Sequence, residues 1–129
     1  MSDFYHYTCA HSAPLILRSG VVKPLGQLGN LAGQMPADRQ WMLDIAWFTD
    51  LPDPLREALG LTSETLQCDR TEWRVTVSDP SGLVHWPRFA RGRVPREQRD
   101  DLERYGRPAH RWVSEAPVPV SGGVLVRAA

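Results

Sequence analysis

The sequence predicts an α+β fold: one strand-dominated domain over residues 1–129, with short helices set between the strands. Three observations predict it. Short aromatic or alternating runs recur along the chain, the helical segments between them start on Pro and stop on Gly, and no linker is long enough to divide 129 residues into two cores.

The elements follow in order. "FYHYT", from Phe4, is an aromatic run that reads as the first strand. Ser12 is placed to cap a short helix with Pro14 in its first turn, "PLILRS" as its apolar face and Gly20 as its stop. "VVKPLGQLGNLAGQMPADRQ" has no sustained period and predicts a loop with a partial turn near Gln40. "DIAWFTD" predicts a second strand, and Asp53 with Pro54 starts a helix "PLREAL" that Gly60 ends. "TEWRVTVSD" alternates Trp73, Val75 and Val77 against Arg74, Thr76 and Ser78, the period of a strand with one buried face. "DPSG" turns the chain, and "LVHWPRFA" is expected to be a further strand cut short by Pro87. Pro95 opens the longest helix, "PREQRDDLERYG", whose few apolar residues (Leu102, Tyr105) predict an exposed surface helix. "HRWVSEAPVPV" and "GGVLVRAA" are expected as closing strands joined by Gly122 and Gly123.

Composition excludes several classes. At 42% hydrophobic and 23% charged the chain is neither disordered nor collagen-like. No run is apolar enough to span a bilayer, and "MSDFYHYTCAH" has neither the basic start nor the apolar stretch of a signal peptide, so a cytoplasmic protein with no membrane partner is expected. Cys9 and Cys68 are too few for a disulfide framework and read as buried small hydrophobes. The spacing of His6, Cys9 and His11, even with Cys68, His85 or His110 added, matches no zinc pattern, so no metal is expected. No Gly-x-Ser-x-Gly, Walker or Gly-x-Gly-x-x-Gly loop occurs.

Formal charge is zero, from 15 basic and 15 acidic residues, but it is uneven. Between Trp86 and Arg111 lie eight arginines (88, 91, 93, 96, 99, 104, 107, 111) against four acids (97, 100, 101, 103). Such a stretch is either a solvated face or, with Trp86 and Phe89 interleaved, a contact for single-stranded nucleic acid through Arg88, Arg91 and Arg93.

Taken together, a first strand bearing "YHYT", a short helix ending in "RSG", a loop with "KP", a "WFT" strand and a late strand with an acidic residue before "PVPV" resemble the ADP-ribosyltransferase superfamily. The nearest likeness is to compact bacterial and phage members that include DNA-modifying toxins. The resemblance implies a split β-sheet core, NAD as substrate and a nucleic acid base as a candidate acceptor. It places the ligand-binding residues at His6, Tyr7 and Thr8 on the first strand and at Trp47, Phe48 and Thr49 on the second, and the catalytic carboxylate at Glu115.

The chemistry accounts for those residue types. Cleavage between nicotinamide and ribose passes through an oxocarbenium-like transition state that a carboxylate stabilises, which is the role implied for Glu115, with Asp50 and Glu72 as fallback acids. His6 would hydrogen-bond a ribose hydroxyl, and Tyr7, Trp47 and Phe48 would wall the nicotinamide. Arginines such as Arg18, Arg39 or Arg74 are the available donors to a diphosphate. Two other classes fit the same residues: an enzyme cleaving the glycosidic bond of another nucleoside or nucleotide, and a binding module without catalysis. In the plainer readings His6 is a core histidine, Trp47 and Phe48 are strand packing, and Glu115 is an edge residue.

Overall fold

The computed structural model describes residues 3–28, 35–53, 70–104 and 106–126, and they build an α+β fold on a single antiparallel sheet. Seven strands appear among them: β1 (Tyr5–Thr8), β2 (Val21–Val22), β3 (Ala46–Thr49), β4 (Trp73–Val77), β5 (Val84–His85), β6 (Arg111–Ser114) and β7 (Val118–Leu125). Their order is β2-β7-β4-β1-β3-β6-β5, so the His6 strand is central.

Between the strands lie helices α1 (Ala13–Ser19), α2 (Trp86–Arg93) and α3 (Arg96–Glu103), with 3₁₀ turns at Leu25–Gln27, Ala37–Asp44, Pro80–Gly82 and Pro108–His110. Helix α1 stops where expected: Gly20 takes the left-handed conformation (φ 77°), and its N–H reaches the Ile16 carbonyl at 2.8 Å. Its start differs from expectation. Ser12 stands at the cap position but adopts helical angles and makes no side-chain cap; its hydroxyl faces Cys9 Sγ instead.

Three further expectations are corrected. "LVHWPRFA" is a strand only over Val84–His85, and the rest is the opening of α2. Pro87 occupies the first helical turn, where its missing N–H costs nothing, and Trp86, Phe89 and Ala90 recur at helical spacing on the buried side. The segment after Gly20 is not all loop, since Val21–Val22 pairs with β7, while the partial turn expected near Gln40 is present as the 3₁₀ structure Ala37–Asp44. Gly122 and Gly123 do not join two strands but lie inside β7, which turns from pairing with β2 to pairing with β4 at a register shift beside Thr76 and Val77. A side chain at Gly123 would meet Leu17 at 3.2 Å, so its absence lets α1 close on the sheet. The expected "PLREAL" helix lies outside the described residues.

Side chains alternate across the sheet, and the register fixes which share a face. His6 lies opposite Val75, which lies opposite Gly123, and Phe48 lies opposite Trp112. This face holds the cluster Val22, Ala46, Phe48, Val77 and Val118, with Ile16 of α1 packed on it. The other face carries Trp47 and Val113 and is covered by α2, α3 and the Ala37–Asp44 turn around Ile45, Trp86, Phe89, Ala90 and Val94. Gln98 of α3 is buried there as a polar tie, accepting from Trp41 Nε1 at 2.6 Å and donating to the Asp38 carbonyl at 2.8 Å. That tie explains how a helix with so few apolar residues is anchored.

Candidate functional site

His6 is held by its neighbour strand. Its Nδ1 lies 2.7 Å from the Trp47 carbonyl, and because a carbonyl only accepts, Nδ1 carries the proton and Nε2 keeps its lone pair. The Phe48 ring packs 5.5 Å from the imidazole. Desolvation by burial pushes the His6 pKa below its ordinary value; the Trp47 carbonyl bond opposes that shift, and the charge of Arg70 adds to it. The result is a neutral imidazole with a fixed tautomer, a hydrogen-bond acceptor at Nε2 and a guanidinium within electrostatic reach. Sequence reasoning missed Arg70, which sits on an exposed turn before β4 where no periodicity marks it.

The residues implied for NAD divide between the two faces. Thr8 and Phe48 share the His6 face. Tyr7, Trp47, Thr49 and Arg74 belong to the other: Tyr7 lies opposite Arg74, Trp47 joins the Trp86 cluster, and Arg111, opposite Thr49, stacks over the Trp47 ring at 5.8 Å. Tyr7 donates to the Leu51 carbonyl at 2.9 Å, and burial raises its pKa to about 12 against the opposing influence of Arg74. Arg74 covers the Tyr5 ring at 4.9 Å and donates to the Pro52 carbonyl. Arg39 lies in the Ala37–Asp44 turn, 3.9 Å from Asp101 of α3.

Glu115 follows β6 directly and is exposed. Arg93 Nη1 donates to its Oε1 at 2.7 Å, Arg93 Nη2 lies 3.5 Å from Asp44, and the same guanidinium covers the Phe89 ring at 5.2 Å. These three charged residues line a groove of about 490 Å³ whose other wall is Pro24, Gly26 and Leu43. His6 is not among the groove's lining residues, and no hydrogen bond joins it to Glu115. Of the fallback acids, Asp50 is bound to His110, Nδ1 to Oδ1 at 2.7 Å, and Glu72 is half-buried just ahead of β4. The Asp50–His110 contact spans 60 residues, so no local pattern could have shown it.

The arginines of α2 differ in their commitments. Arg93 is engaged by Glu115 and Asp44, whereas Arg88 and Arg91 are exposed and have no partner among the described residues. Among the described residues no cluster of His, Cys, Asp and Glu is arranged to hold a metal ion, and no helix is long and apolar enough to cross a membrane. The chain is thus an α+β protein with a tautomer-locked histidine on its central strand and an arginine-clamped glutamate at a groove. Compared with family models, curated proteins and solved structures, it matches none.

Proposed function

We propose that the chain is an NAD-dependent ADP-ribosyltransferase with a split-sheet core, and that it acts on a nucleic acid base. The observation that carries the reading is His6, neutral, fixed in one tautomer by the Trp47 carbonyl, and close enough to Arg70 to feel its charge. An acceptor nitrogen within the electrostatic reach of a guanidinium suits a ribose hydroxyl next to a diphosphate. Phe48, buried in the core cluster, packs against the same imidazole and fixes its position. The resemblance assigns the carboxylate to Glu115, which lines a groove of about 490 Å³ that His6 does not line, within the size range of small-molecule sites. Paired with Arg93 at 2.7 Å, the Glu115 carboxylate would stabilise positive charge developing at the ribose as the nicotinamide leaves.

The test is nicotinamide release from NAD, with and without single-stranded DNA or RNA, alongside calorimetric titration. His6→Ala is expected to weaken NAD binding about tenfold, the loss of roughly 1.4 kcal/mol. Glu115→Gln is expected to bind NAD normally and to lose two or more orders of magnitude in rate, because the removed charge acts in the transition state. Full activity in that variant would exclude Glu115 from the mechanism.

One observation favours a second reading, a binding module without catalysis: the Glu115 carboxylate is already engaged by Arg93 at 2.7 Å. In that case NAD or a related nucleotide binds and wild-type protein releases no nicotinamide.

A further inference from the structure

His110 is the other histidine with a built environment. It ends the turn Pro108–His110 just before β6, and its Nδ1 lies 2.7 Å from Asp50 Oδ1. Two more bonds pin that turn. Thr49 Oγ1 donates to the His110 carbonyl at 2.7 Å, and His85 Nε2 donates to the Ala109 carbonyl at 2.7 Å. The chain beside Asp50 is fixed as well, since Leu51 N–H donates to Thr49 Oγ1 at 3.2 Å.

The exposure within the pair has a direction. The His110 side chain is 42% exposed and that of Asp50 23%, so the carboxylate lies behind the imidazole. With Nδ1 taken, Nε2 is the basic atom, and among the described residues none bonds it. The two histidines are thereby set apart chemically. His6 donates to a neutral carbonyl in a desolvated site and is a poor base, whereas His110 donates to a carboxylate and presents Nε2 from a part-exposed ring.

Resting on the transfer reading above, we propose that His110 Nε2 is the proton acceptor for the incoming nucleophile, with Asp50 as its positioning residue. Asp50 lies two residues beyond Phe48, whose ring meets His6, so along β3 the pair is about 7 Å from the level of His6. In the step, the bond between ribose C1′ and nicotinamide breaks and its electron pair leaves with the nicotinamide, which departs neutral. A lone pair on the acceptor's nitrogen or oxygen forms the new bond to C1′, and the proton the acceptor sheds passes to Nε2. The acceptor class is therefore an N–H or O–H group that must lose a proton, such as a base amide, an exocyclic amine or water.

The experiment measures nicotinamide release and acceptor labelling by full-length wild type, His110→Gln and Asp50→Asn across a pH series, with NAD affinity and melting temperature on each. The titratable and charged groups on the elements around the imidazole are Asp50 after β3, His85 of β5, the arginines of α2 and, in its own segment, Arg107 and Arg111, none of which is altered in the histidine variant. His110→Gln is expected to lower the rate about 10²-fold or more and to abolish its rise with pH, with NAD affinity unchanged. Asp50→Asn, an isosteric change, is expected to lower the same rate about tenfold or more. Wild-type rate and pH profile in folded His110→Gln would overturn the assignment and leave the transfer reading standing. Wild type that binds NAD but releases no nicotinamide with any acceptor would overturn both.

Discussion

A histidine that donates its one proton to a carbonyl in a desolvated site resists taking a second, and this ties His6 to stability as well as to binding. Its folded pKa lies below the ordinary 6.5, so below that pH the unfolded chain binds the proton more readily than the folded one. The contribution is whole above pH 6.5 and is lost as pH falls from there toward the lowered folded value. One proton limits the slope to about 1.4 kcal/mol per pH unit. Urea denaturation at a series of pH values between 7.5 and 5 is expected to show this decline in wild type and a shallower one in His6→Gln; equal slopes would mean that the ring takes its proton freely in the folded state. The aromatic run "FYHYT" was enough to single out His6 in the sequence. Its partner was not legible, because the Trp47 carbonyl lies 41 residues away and meets it only through the β1–β3 register.

At the scale of elements, α2 shows both what patterning reveals and what it hides. The stretch "LVHWPRFA" reads in the sequence as a strand cut short by Pro87, yet the same proline suits a helical first turn, and only the burial of Trp86, Phe89 and Ala90 decides between them. The arginine richness was legible, but which arginines are available was not. Arg93 spends its charge on Glu115 and Asp44 across the fold, while Arg88 and Arg91 face outward. If single-stranded nucleic acid binds this helix, Arg88→Ala and Arg91→Ala should each reduce the slope of log affinity against log salt by about 0.7, the share of one phosphate contact. Arg93→Ala should change the slope by less, because its charge is already neutralised. Fluorescence anisotropy of a labelled oligonucleotide between 50 and 200 mM salt, about the range in which such slopes are read, measures all three. A larger change in Arg93→Ala than in the other two would place the phosphates at the Glu115 groove.

For the whole molecule, the α+β class was legible because strand alternation and the Pro and Gly boundaries are local, whereas the order β2-β7-β4-β1-β3-β6-β5 depends on pairings far apart in sequence. That order has a consequence for the residues implied by resemblance. Adjacent positions in a strand point to opposite faces, so His6 and Phe48 lie on one side of the sheet, and Tyr7, Trp47 and Arg74 on the other. A single ligand pressed against His6 cannot also stack on Trp47, whose ring packs 5.0 Å from Trp86 beneath α2. The two faces should therefore separate in one experiment, thermal melting of wild type, His6→Ala and Arg74→Met with and without NAD. A ligand bound only to the folded state at 100 times its dissociation constant adds about 2.7 kcal/mol, so wild type should melt several degrees higher with NAD. His6→Ala should lose most of that increment. Arg74→Met should melt lower without ligand, having lost its contacts to Tyr5 and to the Pro52 carbonyl, at a cost of about 1–2 kcal/mol, but should keep the increment from NAD. The reverse pattern, with the NAD increment lost in Arg74→Met and kept in His6→Ala, would move the ligand to the Trp47 face and reduce His6 to a histidine of the core.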